Sequence, residues 1–384
     1  MKKTLVSLIL FLFVFLVSCV ETTLTTENIT TTYQTTKEGE TTVNIENCQL
    51  NETTVSSTET INAKDLWNNS EACSNLKLEN DMITRIDTKT DGELVSGVFY
   101  INAFKELVPS WNILINDKSN ITILISVGNN LGFSKFYIMS SWSESYKASF
   151  SSQEDGFAKV NIDTIVTKLD DIDRFKVKIV FRGRETSETY LRSISITTKP
   201  LNDVFNNDVS FLVEKELAVP PHQQMSIPLI GGKICSPTSL QMLLNYNSHY
   251  FTPEEVASDV YDKGAGIYGN WSFNASFVGG FSDLYSRVEY VNTLETLSYY
   301  IQNDIAVAMS IRTIDKNDLV GSIVAYSSGH LIVLIGFKKI DDTWYAIVND
   351  PAEYEDSAVR REYLLTELLN AFSGYTYVVS TNPL

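Results

Sequence analysis

The rhythm of hydrophobic and polar positions changes three times along the chain. Residues 5–17, LVSLILFLFVFLV, form an almost unbroken apolar run behind Lys2 and Lys3. From residue 20 to about 60, Thr, Glu, Ser and Asn dominate without apolar periodicity, and the whole of 20–80 is expected to be a disordered tether that cannot bury enough surface to offset chain entropy. Residues 81–200 then show short alternating or β-rich runs, among them ITILISVG, KFYIMSSW, FKVKIVFRG and LRSISITT, cut by turn clusters such as NDKSN and QEDG. Many short strands without a convincing helix predict an all-β sandwich or jelly roll. Beyond the polar passage KPLNDVFNNDVS, residues 215–384 mix the two periods: helices are predicted over 237–247, 253–261, 294–302 and 364–372, and strands over 306–311, 330–337, 344–349 and 375–380. That mixture is an α+β arrangement, and no internal repeat is present.

Length and charge narrow the picture. The 384 residues suffice for two cores, and a formal net charge of -17 argues against a nucleic-acid surface. The N-terminal apolar run is too short and wrongly flanked for a membrane span, so it is expected to be an export signal. Its ending, Leu16-Val17-Ser18-Cys19, resembles the bacterial lipobox. Residues 1–19 are therefore expected to be a lipoprotein signal peptide with Cys19 as the lipidation site, although a plain signal peptide cut elsewhere is an open alternative. Either way the mature protein is expected outside the cytoplasm. Of the remaining cysteines, Cys48 and Cys73 form the simplest disulfide, with both unpaired as the alternative; Cys235 is left free.

The candidate chemistry centres on KICSPTSLQMLLNYN, residues 233–247. Pro237 suits a first helical turn, and Leu240, Leu243 and Leu244 mark one buried stripe. Cys235 thus stands at a helix start, where free N–H groups and the helix dipole favour thiolate over thiol. A thiolate that acylates needs a proton carrier. Of the three histidines, His222 and His249 lie in loop-like contexts, whereas His330 opens the apolar strand HLIVLIGF. Asp350, after the strand TWYAIVN, is the candidate partner that would orient the ring. A loop with an odd number of residues puts His330 and Asp350 on one face of the hairpin, and a two-residue Asp-Asp loop puts them on opposite faces. For an oxyanion the candidate donors are the Cys235 N–H and a side-chain amide from Gln223 or Gln224, with Gln224 preferred. Asn270 and Trp271, in a Gly-Asn-Trp loop, are candidate substrate-binding residues, a packed Trp being the competing reading. Trp111 and Trp142 are read as core of the sandwich rather than as a carbohydrate-binding face.

These motifs together resemble the C39-like family of bacterial cysteine peptidases. The stretches AVPPHQQMSIPLIGGKICSPTSLQML, SSGHLIVLIGF and VNDPA place Cys235, His330 and Asp350 where that family has its catalytic Cys, His and Asp, and Gln224 where it has its oxyanion-hole Gln. VYDKGAGIYGNWSFNASF, residues 260–277, and Pro109–Asn112 are similar to segments of a branch of the family that carries an N-terminal β-domain. Ile234 departs from the aromatic residue common in that branch. The resemblance implies a papain-like peptidase domain over 215–384 preceded by a β-sandwich, with peptide-bond hydrolysis through an acyl-enzyme. Acyl transfer to another acceptor and a non-catalytic binding role are the alternatives. Neither a metal nor a cofactor is implied. The expected partner is a peptide or protein; nucleic acid is not expected, the membrane is met only through a lipid on Cys19, and the oligomeric state is not legible.

Overall fold

A computed structural model describes residues 57–116, 118–183 and 188–384. The expected export signal, Cys19 and Cys48 lie outside these residues. No helix among the described residues is long and apolar enough to cross a membrane.

Two sheets build the N-terminal part. One has as its central pair the long strands Phe104–Ile115 and Thr189–Pro200, and the other centres on Asn120–Asn129 paired with Arg174–Arg182. Their inner faces follow the two-residue period of a strand: Ile121, Ile123, Ile125 and Val127 on one strand and Phe175, Val177, Ile179 and Phe181 on its neighbour are buried against Leu107, Trp111, Ile113, Ile194 and Ile196 of the facing sheet. Trp111 and Trp142 belong to this core, with ring centroids 5.7 Å apart in an edge contact.

The folded chain begins earlier than the sequence pattern suggested. Thr58–Asn62 pairs with the strand Thr189–Pro200, Ser70–Ser74 pairs with Gly92–Ser96, and a short helix, Ala63–Asn68, lies between them. Asn62 caps that helix by accepting a hydrogen bond from Asp65 N–H at 2.8 Å. The expected tether over 20–80 is therefore too long at its C-terminal end. Its misleading polarity has a simple cause: few of its residues, chiefly Ile61, Ala63, Leu66 and Leu76 with Trp67 and Leu78 beside them, reach the core, and the strands that cover them come from elsewhere in the chain.

The second part is α+β. One sheet runs in the order Tyr285–Tyr290, Phe372–Ser380, Val307–Ile311, His330–Ile340, Thr343–Asn349 and Arg360–Leu364, with the short strand Lys215–Glu216 added beside His330–Ile340. The helix Cys235–Tyr246 packs on this sheet through Leu240, Leu243 and Leu244, and Ser239 Oγ donates to Leu331 O at 3.1 Å. The predicted helices and strands are all present, with ends displaced by up to three residues.

The two parts are joined by a broad, interdigitated contact. Val108 of the sandwich lies in the core of the second domain, and Phe273 of the second domain lies in the core of the sandwich. Around them the hydrogen bonds are specific: Trp111 N–H to Ser276 Oγ at 3.0 Å, Ser272 Oγ to Pro109 O at 2.6 Å, and Asn112 both donating to Ser286 O at 3.1 Å and accepting from Ser286 N–H at 2.9 Å. The serine and threonine face of the strand Thr189–Pro200, which alternation predicts to be wet, is buried here by the strand Tyr285–Tyr290, with Thr197 Oγ1 donating to Val288 O at 2.5 Å.

Candidate active site

Cys235 is the first residue of its helix, after a tight turn over Gly231–Lys233. Pro237 costs nothing in the first turn, and the Thr238 N–H returns to Ile234 O at 2.9 Å. The Cys235 side chain is partly exposed and meets His330 and the backbone N–H groups of Leu331 and Ser236. Burial alone would raise its pKa, but the hydrogen bond and charge of His330, joined by those N–H groups, pull it below the ordinary thiol value.

His330, only 4% exposed, opens its strand after Gly329, whose φ of 88° suits glycine. Its Nε2 lies 2.7 Å from Asp350 Oδ1, which leaves Nδ1 for Cys235. Tyr326 stacks flat on the imidazole at 4.1 Å between centroids. Burial would favour the neutral ring; the charge of Asp350 and its hydrogen bond, followed by the contacts with Cys235, reverse this and push the imidazole up to about 10. Asp350 is fully buried and fully occupied. Besides His330, it accepts from Ala352 N–H at 3.0 Å, Tyr326 OH at 2.8 Å and Tyr363 OH at 2.9 Å. Burial raises its carboxyl, but the imidazolium and these donors outweigh it and hold it down to about 2. The site therefore favours a thiolate beside an imidazolium, anchored by a carboxylate.

The hairpin that brings His330 to Asp350 has the two-residue loop Asp341-Asp342, both residues at positive φ. Without interruption that register would put the pair on opposite faces. A bulge between Leu334 and Gly336 shifts the pairing by one residue, so Val333 faces Asn349 and, continuing that register, Asp350 falls across from Ile332, diagonal to His330 on the same face. Gly336 marks the place: a Cβ there would come within 2.1 Å of Lys215 O in the added strand. A glycine inside an apolar strand was the available sequence signal.

Gln224 is buried and tied to the Asp350 loop through its N–H, which donates to Pro351 O at 2.8 Å. Its Nε2 donates to Gly231 O at 2.6 Å, and its Oε1 has no partner among the described residues. Among the described residues no partner accepts from the Cys235 N–H. Gln223 is engaged elsewhere, accepting from Ser226 N–H at 2.9 Å. Tyr326 and Tyr363, the two phenols on Asp350, were not foreseen, because nothing in their local sequence separates them from core tyrosines.

The expected substrate-binding role of Asn270 is corrected. It is fully buried as the N-cap of the helix Trp271–Val278, accepting from Phe273 N–H at 3.0 Å and donating to Asp262 Oδ2 at 2.8 Å. Both its polar atoms are spent on structure. Trp271 is half-buried; its ring packs on Tyr377 at 4.8 Å, and the Tyr377 hydroxyl lies 2.9 Å from Ser236 Oγ, next to Cys235. The Gly-Asn-Trp segment thus belongs first to the domain interface and only through Trp271 to the neighbourhood of the thiol.

Residues 216–380 match the Peptidase_C39 like family, and residues 28–198 match the Peptidase C39 N-terminal domain. Residues 216–380 thus form a C39-like peptidase domain, preceded by the β-rich domain. Among solved structures, a protein described as a C39-like peptidase from Bacillus anthracis is 13% identical, with a TM-score of 0.34, covering 45% of this chain and 100% of its own. A double glycine motif protease from an AMS/PCAT transporter is 18% identical, with a TM-score of 0.27 and coverage of 44% and 95%. A β-1,3-glucan binding module from Bacillus halodurans is 15% identical, with a TM-score of 0.19 and coverage of 37% and 95%. No curated protein matches the chain.

Proposed function

We propose that this protein is a surface-anchored cysteine peptidase that hydrolyses peptide bonds through Cys235, His330 and Asp350. The observation that carries this reading is the buried imidazole bridging a helix-start cysteine and a carboxylate that accepts three further hydrogen bonds. The Cys235 thiolate attacks the peptide carbonyl carbon, and the π electrons move to the oxygen. The Cys235 N–H, without another partner among the described residues, and the remaining Nε2 hydrogen of Gln224 are the donors assigned to that oxyanion. As the C–N bond breaks, His330 gives its Nδ1 proton to the departing amine and a thioester remains on Cys235. Neutral His330 then takes a proton from water, hydroxide attacks the thioester, and the carboxylic acid leaves as the thiolate and imidazolium are restored. Asp350 keeps the ring oriented and the imidazolium stable throughout, without itself taking the proton. Lipidation of Cys19 would hold the enzyme at the outer face of the cell membrane, with peptides or proteins as substrates.

The test is product analysis by mass spectrometry after incubating the mature chain with a diverse peptide library, beside Cys235→Ala. Peptide fragments bearing new free carboxylates, made only by the parent, are expected. Products joined to an amine acceptor would replace hydrolysis by acyl transfer, and no products at all would leave a binding role.

A further inference from the structure

The β-sandwich reaches the active site through one turn. Between strands Ala158–Asn161 and Thr164–Thr167 the chain turns at Ile162, with φ of 60°, and presents Asp163 to the second domain. Asp163 is 7% exposed. Its Oδ2 accepts the backbone N–H of Trp271, the first residue of the helix Trp271–Val278, and its Oδ1 accepts the Thr164 hydroxyl at 3.1 Å. Among the groups acting on it is another carboxylate, Asp262, which works with burial to raise its pKa.

What Asp163 holds leads directly to the thiol. The Trp271 ring packs against Tyr377 at 4.8 Å and Tyr375 at 5.5 Å. Tyr375 is gripped from the sandwich a second time, by donating to Glu106 Oε2 at 2.8 Å. The Tyr377 hydroxyl lies 2.9 Å from Ser236 Oγ, and Ser236, the next residue after Cys235, is among the groups whose N–H lowers the Cys235 thiol. Asp163, Trp271, Tyr377, Ser236 and Cys235 therefore form one contiguous line of contacts from one domain to the nucleophile of the other.

We propose that Asp163 is a positioning residue of the active site, supplied by the β-sandwich. It pins the start of the 271–278 helix so that the Trp271 and Tyr377 rings keep the Ser236 N–H on the Cys235 sulfur. In this view the sandwich is part of the catalytic apparatus rather than a separate binding module. The effect on turnover rests on the peptidase reading above; the effect on thiol reactivity does not.

The experiment compares the full mature chain with Asp163→Ala, Asp163→Asn and Tyr377→Phe. The pH dependence of Cys235 alkylation by iodoacetamide is recorded, together with kcat and KM on a cleaved peptide. Loss of one hydrogen bond to a thiolate is expected to raise the alkylation midpoint by about one pH unit in Asp163→Ala and Tyr377→Phe, with kcat at neutral pH down roughly tenfold and KM within about twofold. Asp163→Asn keeps an acceptor for the Trp271 N–H and should restore both. Should Asp163→Ala fail to fold, Tyr377→Phe decides alone. Wild-type alkylation profiles in the folded Asp163→Ala and Tyr377→Phe proteins would overturn the proposal. If the parent alkylates rapidly but cleaves nothing, the peptidase reading fails while the alkylation profiles still decide this one.

Discussion

Replacing Asp163 by Asn should make the protein more stable at neutral pH, and the gain should fade as the pH falls. Burial is the main influence on this carboxyl and pushes it up from 3.8 to about 6, against the opposing hydrogen bonds from Trp271 and Thr164. A group whose folded pKa is raised supports the fold fully below its unfolded value and loses that contribution as the pH rises through the folded one. The rise from 3.8 to about 6 corresponds to about 3 kcal/mol of destabilisation by the ionised form above pH 6. Asn carries no charge and still accepts from the Trp271 N–H, so it removes that cost. The phenols of Tyr375 and Tyr377 beside it are pushed well above their usual range and stay neutral throughout this window. The assay is urea unfolding of parent and variant at pH 4, 5, 6, 7 and 8. Groups common to both proteins cancel in the difference, as does any constant offset from the amide. An advantage of roughly 2.4 kcal/mol at pH 8 over that at pH 4 is expected, since the unfolded carboxyl is already partly ionised at pH 4. A difference that is the same at both ends would refute the argument, because Asp163 would then carry no buried charge.

Further outcomes follow from the same structure. His330→Ala should abolish turnover and slow alkylation of Cys235 at neutral pH, which a pH series of iodoacetamide rates would show as a thiol returned toward its ordinary range. The His330 contribution to stability is complete below 6.5 and lost through about 10, and that of Asp350 is complete above 3.8 and lost through about 2. Thermal unfolding across pH should therefore lose both dependences together in Asp350→Ala, at a cost of about 3–5 kcal/mol for breaking a buried pair. Gln224→Ala should lower kcat roughly a hundredfold while leaving the alkylation rate within about twofold, as expected for an oxyanion donor. Finally, a chain beginning at Thr54 should fold, whereas one beginning at residue 81 should not, since it lacks the strand paired with Thr189–Pro200; Leu66→Ala alone should cost about 2–5 kcal/mol in urea unfolding.

Much of this protein is legible one segment at a time. The period-two runs mark the sandwich strands, the leucine stripe marks the helix after Cys235, and a cysteine at a helix start with a histidine opening an apolar strand marks the reactive pair; these are local patterns, set by which face of an element must be dry. What lies across two elements is not legible in this way. The face on which Asp350 stands depends on a bulge at Ile335 and on the close approach of Lys215–Glu216 to Gly336, both products of strand pairing rather than of local preference. The phenols of Tyr326 and Tyr363 meet on one carboxylate from positions 37 residues apart in the sequence, a distance that only the sheet closes. The serines and threonines of LRSISITT alternate as though one face were wet, yet the second domain covers that face, since alternation reports polarity and not which surface will meet another. Asn270 reads as a cleft residue in the sequence for the same reason. Its Gly-Asn-Trp context signals a loop, and only the tertiary structure turns that loop into a capped helix wedged between two domains, where every polar atom of the side chain is already hydrogen-bonded.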